Sequence, residues 1–216
     1  MKKKKITAKN TEETKKFARS FVEHLIKKGP AKKEATIIGL YGDLGAGKTF
    51  FTKEAAKILG VKESVASPTF VLERIYKLPL KNKFEHLIHI DAYRLESGEE
   101  LARLGWKELI GNSKNLIFIE WPEKVFDLST SFPALNLAGN EVREKGVGKN
   151  FSFSRGGEQR SASRRGALRT ERFSKMKLPR QRAARNFIVM PKNHIGIFFE
   201  HAGIEERKIE IKNLKP

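Results

Sequence analysis

Eight consecutive residues, Gly42-Asp43-Leu44-Gly45-Ala46-Gly47-Lys48-Thr49, follow the phosphate-binding pattern G-x-x-x-x-G-K-[ST]. Its glycines let the backbone wrap with N–H groups pointing inward, and a helix starting at the lysine adds the positive end of its dipole. Lys48 is the residue expected to reach the β- and γ-phosphates of a nucleotide, and the Thr49 hydroxyl is expected to ligate Mg²⁺. Phe50, next along that helix, is counted with the loop as nucleotide-binding. The alternative is a chance match in a glycine-containing turn, and the strand before and helix after the loop argue against it.

Such a site also needs a carboxylate at the end of a neighbouring strand to hold the metal. Two apolar runs end in one: His86-Leu-Ile-His-Ile-Asp91 and Leu116-Ile-Phe-Ile-Glu120. We assign Asp91 to Mg²⁺ and Glu120 to the γ-phosphate side, as metal ligand or as orienter of the attacking water. Either could instead merely cap its strand. Thr69, in Ser67-Pro68-Thr69-Phe70, lies where a switch loop would sense the γ-phosphate through the metal, although Ser-Pro is also an ordinary turn. His86 and His89 are three apart on a strand and so face opposite sides, which excludes a metal pair and leaves His89 as a packed or supporting residue. Asn82-Lys83-Phe84-Glu85 only faintly resembles a guanine-reading motif and precedes its strand, so it reads as a polar loop and ATP is the expected nucleotide.

The elements that must position these groups are legible in part. Asn10 and Glu13 form a capping box before Phe17, Phe21, Val22, Leu25 and Ile26, giving a helix that stops near Gly29-Pro30. Thr36 to Tyr41 reads as a buried strand, and Lys48 to Leu59 as a helix stopped by Gly60. Phe70 to Leu78, Leu87 to Ile90 and Asn115 to Ile119 read as strands. Ser97 and Glu100 form a second capping box, opening a helix from Gly98 to Ile110. Ile195 to Glu200 and Arg207 to Lys212 read as a closing hairpin about Ala202-Gly203. Strands alternating with helices predict an α/β fold, three-layered, with a mainly parallel sheet.

The 216 residues carry a net charge of +19 and no cysteine, which excludes disulfides and thiolate metal sites and fits a reducing, cytoplasmic compartment. No apolar run is long enough to span a bilayer, so no membrane partner is expected. The charge is uneven: from Ser129 to Asn193 there are fifteen Lys and Arg against four Glu. This stretch, Gly-, Ser- and Arg-rich and without helical or strand period, predicts a disordered basic insertion over 128–193. It separates a core over 1–127 from a hairpin over 194–216.

GDLGAGKT, SPTF (67–70), HIDAYRL (89–95), ELARLGW and IEWPEKV (119–125), in this order and spacing, resemble the bacterial TsaE (YjeE) family. The resemblance covers about residues 6–127, plus the closing hairpin. It implies a small ATPase that works with TsaD and TsaB in installing N6-threonylcarbamoyl on a tRNA adenosine and is not itself the transferase. It further implies that Lys48 and Thr49 bind nucleotide and Mg²⁺, that Asp91 is the metal-site acid and Thr69 the switch threonine. Glu120 and Trp121 would lie beside the nucleotide, and turnover would be slow and partner-coupled. The insertion departs from the family pattern. It reads as a functionless graft, as a basic arm that touches tRNA or ribosomal RNA directly, or as a disruption. Two other functions remain in view: a small-molecule kinase, which would need an acceptor pocket and a lid, and an RNA-binding protein with a vestigial nucleotide site.

Overall fold

The computed structural model describes residues 4–68, 71–127, 187–191 and 194–213. Nine strands and four α-helices are found among them: β1 (Lys4–Ala8), α1 (Thr11–Lys28), β2 (Thr36–Tyr41), α2 (Lys48–Leu59), β3 (Glu73–Lys77), β4 (His86–Asp91), α3 (Gly98–Arg103), α4 (Trp106–Gly111), β5 (Asn115–Glu120), β6 (Phe126–Asp127), β7 (Ile188–Val189), β8 (Ile195–His201) and β9 (Arg207–Asn213). Single 3-10 turns follow β4 (Ala92–Arg94) and β5 (Pro122–Lys124).

Seven strands form one sheet in the order β1-β9-β8-β2-β5-β4-β3. Its four central strands, β8, β2, β5 and β4, are parallel, while β9 and β3 pair antiparallel with them. The parallel strands are the apolar runs, as strands buried on both faces require. Residues alternate between two cores. Ile38, Leu40, Leu87, Leu116 and Phe118 meet α1 and α2 on one face; Ile37, Ile88, Ile90, Ile117 and Ile119 meet Leu101, Trp106, Phe126 and Met190 on the other. The result is three layers, as the alternating pattern predicts.

Local signals act largely as read. The Glu13 N–H donates to Asn10 Oδ1 at 2.9 Å, and Glu13 reaches back to the Lys9 N–H at 2.8 Å. Gly60 closes α2 in the left-handed region at φ 89. Four differences have physical causes. The helix expected over 98–110 is two short ones, because Gly105 at φ 77 turns the chain left-handed between them. Ser97 makes no side-chain cap there; instead Glu100 accepts from the Glu96 N–H at 3.0 Å. The strand expected from Phe70 begins only at Glu73, because Val71 and Leu72 fold back to hydrogen-bond the Pro68 carbonyl, with Leu72 at φ 65. The charged segment Lys4–Ala8, silent in the sequence, gains strand structure by pairing with β9 at the sheet edge.

A further difference concerns the basic segment. Its disorder is expected over 128–193, and residues 128–186, 192 and 193 lie outside the described residues. Ile188–Val189, within that range, pairs parallel with Phe126–Asp127, and Met190 is buried in the second core. The ordered core therefore extends into the end of the basic stretch.

The first core turns on Phe51 of α2, whose ring lies 5.6 to 6.2 Å from those of Phe17, Phe21, Phe118 and Phe199. It joins α1, α2, β5 and β8, so the cavity left by Phe51→Ala has no flexible wall to collapse it. Urea denaturation of that variant should show a loss of about 3–5 kcal/mol, well above the loss of about 1 kcal/mol or less expected for an exposed substitution.

Candidate functional site

The loop from Gly42 to Thr49 joins the carboxyl end of β2 to the first turn of α2. Gly42, Gly45 and Gly47 have φ of 137, 75 and 105, values open to glycine and costly for other residues. At Gly42 close approach adds a second demand: a Cβ there would stand 2.3 Å from the Phe199 carbonyl oxygen of β8. Leu44 at the loop's tip is exposed, and Ala46 is fully buried beneath it. The carbonyl of Leu44 meets His201 Nε2, at the end of β8, at 3.3 Å. The N-terminus of α2 has no side-chain cap and no acidic residue in its first turn, leaving its N–H donors without a local carboxylate competitor. Phe50 is half-buried in that turn.

Lys48 is turned back into the loop. Its ammonium donates to the carbonyls of Gly42 at 2.7 Å and Asp43 at 2.9 Å, and lies 3.8 Å from the centre of the Trp121 ring. The side chain is 4 % exposed. Burial pushes its pKa below the ordinary lysine value, and the nearby carboxylates Glu120, Glu123, Asp91 and Asp43 pull it back up.

The two carboxylates that close apolar strands are brought together. In the parallel register of β4 and β5, Asp91 stands opposite Glu120, and Glu120 is in turn opposite Leu40 of β2. Both of Glu120's oxygens are engaged: Thr49 Oγ1 donates to Oε2 at 2.9 Å, and His89 Nε2 lies 2.8 Å from Oε1. His89, fully buried, therefore supports Glu120, the supporting role open to it from its position on the strand. His86 lies three residues before it on the same strand, on the opposite face. Asp91 caps the turn that follows it, its Oδ1 accepting from the Tyr93 N–H at 3.0 Å. The capping role thus holds for one oxygen of Asp91.

Trp121 leaves β5 in the left-handed region, φ 58 and ψ 44, with its N–H on the Leu40 carbonyl at 3.2 Å. That conformation turns the indole over Lys48, and Tyr93 packs on it at 5.1 Å between ring centres. Tyr93 and His201 were not singled out by sequence; Tyr93 lies on the turn after β4 and His201 at the end of β8, positions that only the fold brings to the loop. Glu123, within IEWPEKV, was also missed. Burial raises its carboxyl to about 7, against the lowering effects of a backbone hydrogen bond, Lys48 and Lys124. Thr69 lies outside the described residues.

Among the described residues no group of three or more His, Asp and Glu is arranged to hold a metal by itself. The oxygens of Thr49, Glu120 and Asp91 at one strand edge instead suit a hard cation that takes few protein ligands and completes its shell with water and phosphate. The loop's glycines, uncapped helix and buried ammonium suit the phosphates themselves. Among the described residues no helix is long and apolar enough to cross a membrane.

The family model described as threonylcarbamoyl adenosine biosynthesis protein TsaE matches residues 8–146. The tRNA threonylcarbamoyladenosine biosynthesis protein TsaE of Rickettsia prowazekii is 42 % identical over 125 residues, covering 57 % of this chain and 78 % of that protein. Its counterpart in Haemophilus influenzae is 37 % identical over 108 residues, covering 50 % and 64 %. The crystal structure of YdiB from Bacillus subtilis superimposes with a TM-score of 0.53 at 21 % identity, covering 99 % of this chain and 86 % of that one, a likeness of fold. The sequence resemblance and the matched family model agree, and the chain belongs to the TsaE family of threonylcarbamoyl adenosine biosynthesis proteins.

Proposed function

We propose that this chain binds Mg-ATP at the loop from Gly42 to Thr49 and hydrolyses it slowly, in the cytoplasm, as the ATPase partner of TsaD and TsaB in forming threonylcarbamoyladenosine on tRNA. The observation that carries the reading is the meeting, at one sheet edge, of a buried ammonium, a helix N-terminus and the Thr49–Glu120–His89 chain beside Asp91.

Each group has work suited to its position. The loop N–H groups and Lys48 hold the phosphates and balance the charge that spreads over them in phosphoryl transfer. Thr49 and Asp91 hold Mg²⁺, which when bound neutralises negative charge between the phosphates. Glu120, pinned through both oxygens, is oriented by His89 and is the group suited to fix the attacking water or the metal's water shell. Trp121 keeps one side of the ammonium out of water, which strengthens its field at the phosphates. The tRNA is reached through the partner complex, with direct contact by the basic stretch a second route.

Two measurements test this. ATP hydrolysis by the whole chain should rise on adding TsaD and TsaB and fall to background in Lys48→Ala; partners that change nothing while ATP still binds would remove the pathway assignment. Asp91→Asn should lower Mg²⁺-dependent hydrolysis on the order of a hundredfold or more while leaving metal-free nucleotide affinity within a few-fold. Equal loss of both would show that Asp91 shapes the loop and does not serve the metal.

A further inference from the structure

Two carboxylates three residues apart, Glu120 and Glu123, sit in opposite circumstances. Both oxygens of Glu120 have partners. Glu123 lies on the 3-10 turn Pro122–Lys124, which packs against β2 beside the phosphate loop, and its Oε2 is buried with no hydrogen-bond partner among the described residues. Buried carboxylates are ordinarily paired, so an unpaired oxygen here calls for a reason. The charged and titratable groups coupled to it include Asp43 and Lys48 from the loop, Lys124 from its own turn and Tyr41 from β2, and the Ala92–Arg94 turn and β6 also pack on its segment. Tyr41 is itself pushed up, first by burial and then by the Glu123 charge. The turn is held in place independently, by the Trp121 N–H on Leu40 and the Ile188 N–H on Val125. Neither of these bonds involves the Glu123 carboxyl, which accepts from its own backbone N–H.

We propose that Glu123 is a positioning residue of the phosphate site: nucleotide phosphates bind the form in which its carboxyl is neutral, so binding takes up a proton. The proposal rests on the nucleotide reading above. Its physics is the competition of like charges for one ammonium. An ionised Glu123 would share Lys48 with the incoming phosphates and repel them across a site poor in water. A protonated Glu123 leaves Lys48 wholly to the phosphates and has an O–H to donate. The proton comes from the buffer and resides on the carboxyl while nucleotide stays bound.

The sign follows directly. Burial sets the free-site value at about 7, and bound phosphate, a like charge, raises it further. Nucleotide affinity is therefore complete below about pH 7 and falls as pH rises between the free and bound values, by at most about tenfold per pH unit for one proton.

The test uses the whole chain and MgADP, titrated calorimetrically between about pH 6 and 9 in buffers of different ionisation enthalpy. Wild type should take up a fraction of a proton near neutral pH and bind several-fold more weakly at the alkaline end. Glu123→Gln, permanently neutral, should keep the acid-side affinity throughout and take up no proton, and Glu123→Asp should restore the uptake. A wild-type affinity flat in pH, or the same slope in Glu123→Gln, overturns the proposal. A second readout needs no nucleotide. The infrared band of a protonated carboxyl should persist to about pH 7 in the free protein and vanish in Glu123→Gln. Its absence overturns the proposal and leaves the nucleotide reading standing, whereas MgADP failing to bind at any pH overturns that reading and the coupling with it.

Discussion

The ammonium of Lys48 is nearly removed from water, and a buried charge is tolerated only when protein groups replace its hydration. Here two loop carbonyls, an indole face and several carboxylates do so. Each replacement constrains something further out. The carbonyls of Gly42 and Asp43 can turn inward only because Gly42 adopts a positive φ while pressed against the Phe199 carbonyl, which ties the loop to β8, a strand far away in sequence. The indole reaches Lys48 only because Trp121 leaves its strand left-handed. The carboxylates reach it only because two strands end in register.

The sheet acts as the ruler for that register. Asp91 and Glu120 are direct cross-strand neighbours, while His89 stands opposite Phe118, so the His89–Glu120 bond is a diagonal one within reach of long side chains. A slip of one residue between β4 and β5 would send Glu120 to the opposite face, into the core of Leu101 and Trp106, and bury an uncompensated acid there. The apolar residues flanking these acids, Ile88, Ile90, Ile117 and Ile119, enforce the register by filling that core. Packing far from the site thus sets its geometry more firmly than any bond within it.

Much of this could be read in the sequence, for a definite reason. The glycine-rich loop, α2 and the apolar strands are specified locally: glycines where φ is positive, β-branched runs where both faces are buried, a glycine where the helix ends. The positions of Asp91 and Glu120, each closing an apolar strand, follow from the strand ends alone. Most of what escaped depends on distant partners. β1 has no apolar pattern and exists by pairing with β9; β7 is two residues in a basic stretch, held by β6; Gly105 divides a helix whose apolar spacing runs straight through it. Glu123 escaped differently. Its type and motif were in view, but nothing in the string of letters states that one oxygen is left without a partner among the described residues. That is a property of the packed turn.

That turn is also where the site is most strained. A residue before proline favours extended backbone, and a non-glycine residue in the left-handed region costs about 1–3 kcal/mol. Trp121 bears both penalties. They are tolerated because its N–H is taken by Leu40, its ring by Lys48 and Tyr93, and the chain beyond it by the pairing of β6 with β7. Of these restraints only the contact with Lys48 involves a group that phosphates would compete for on the proposed nucleotide reading. Whatever draws the ammonium from the indole therefore removes one support of a strained conformation while the rest of the sheet edge stays fixed. The position of the Lys48 ammonium and the backbone of residues 121–124 are linked through a single cation-to-ring contact, and Glu123 lies within that linked segment.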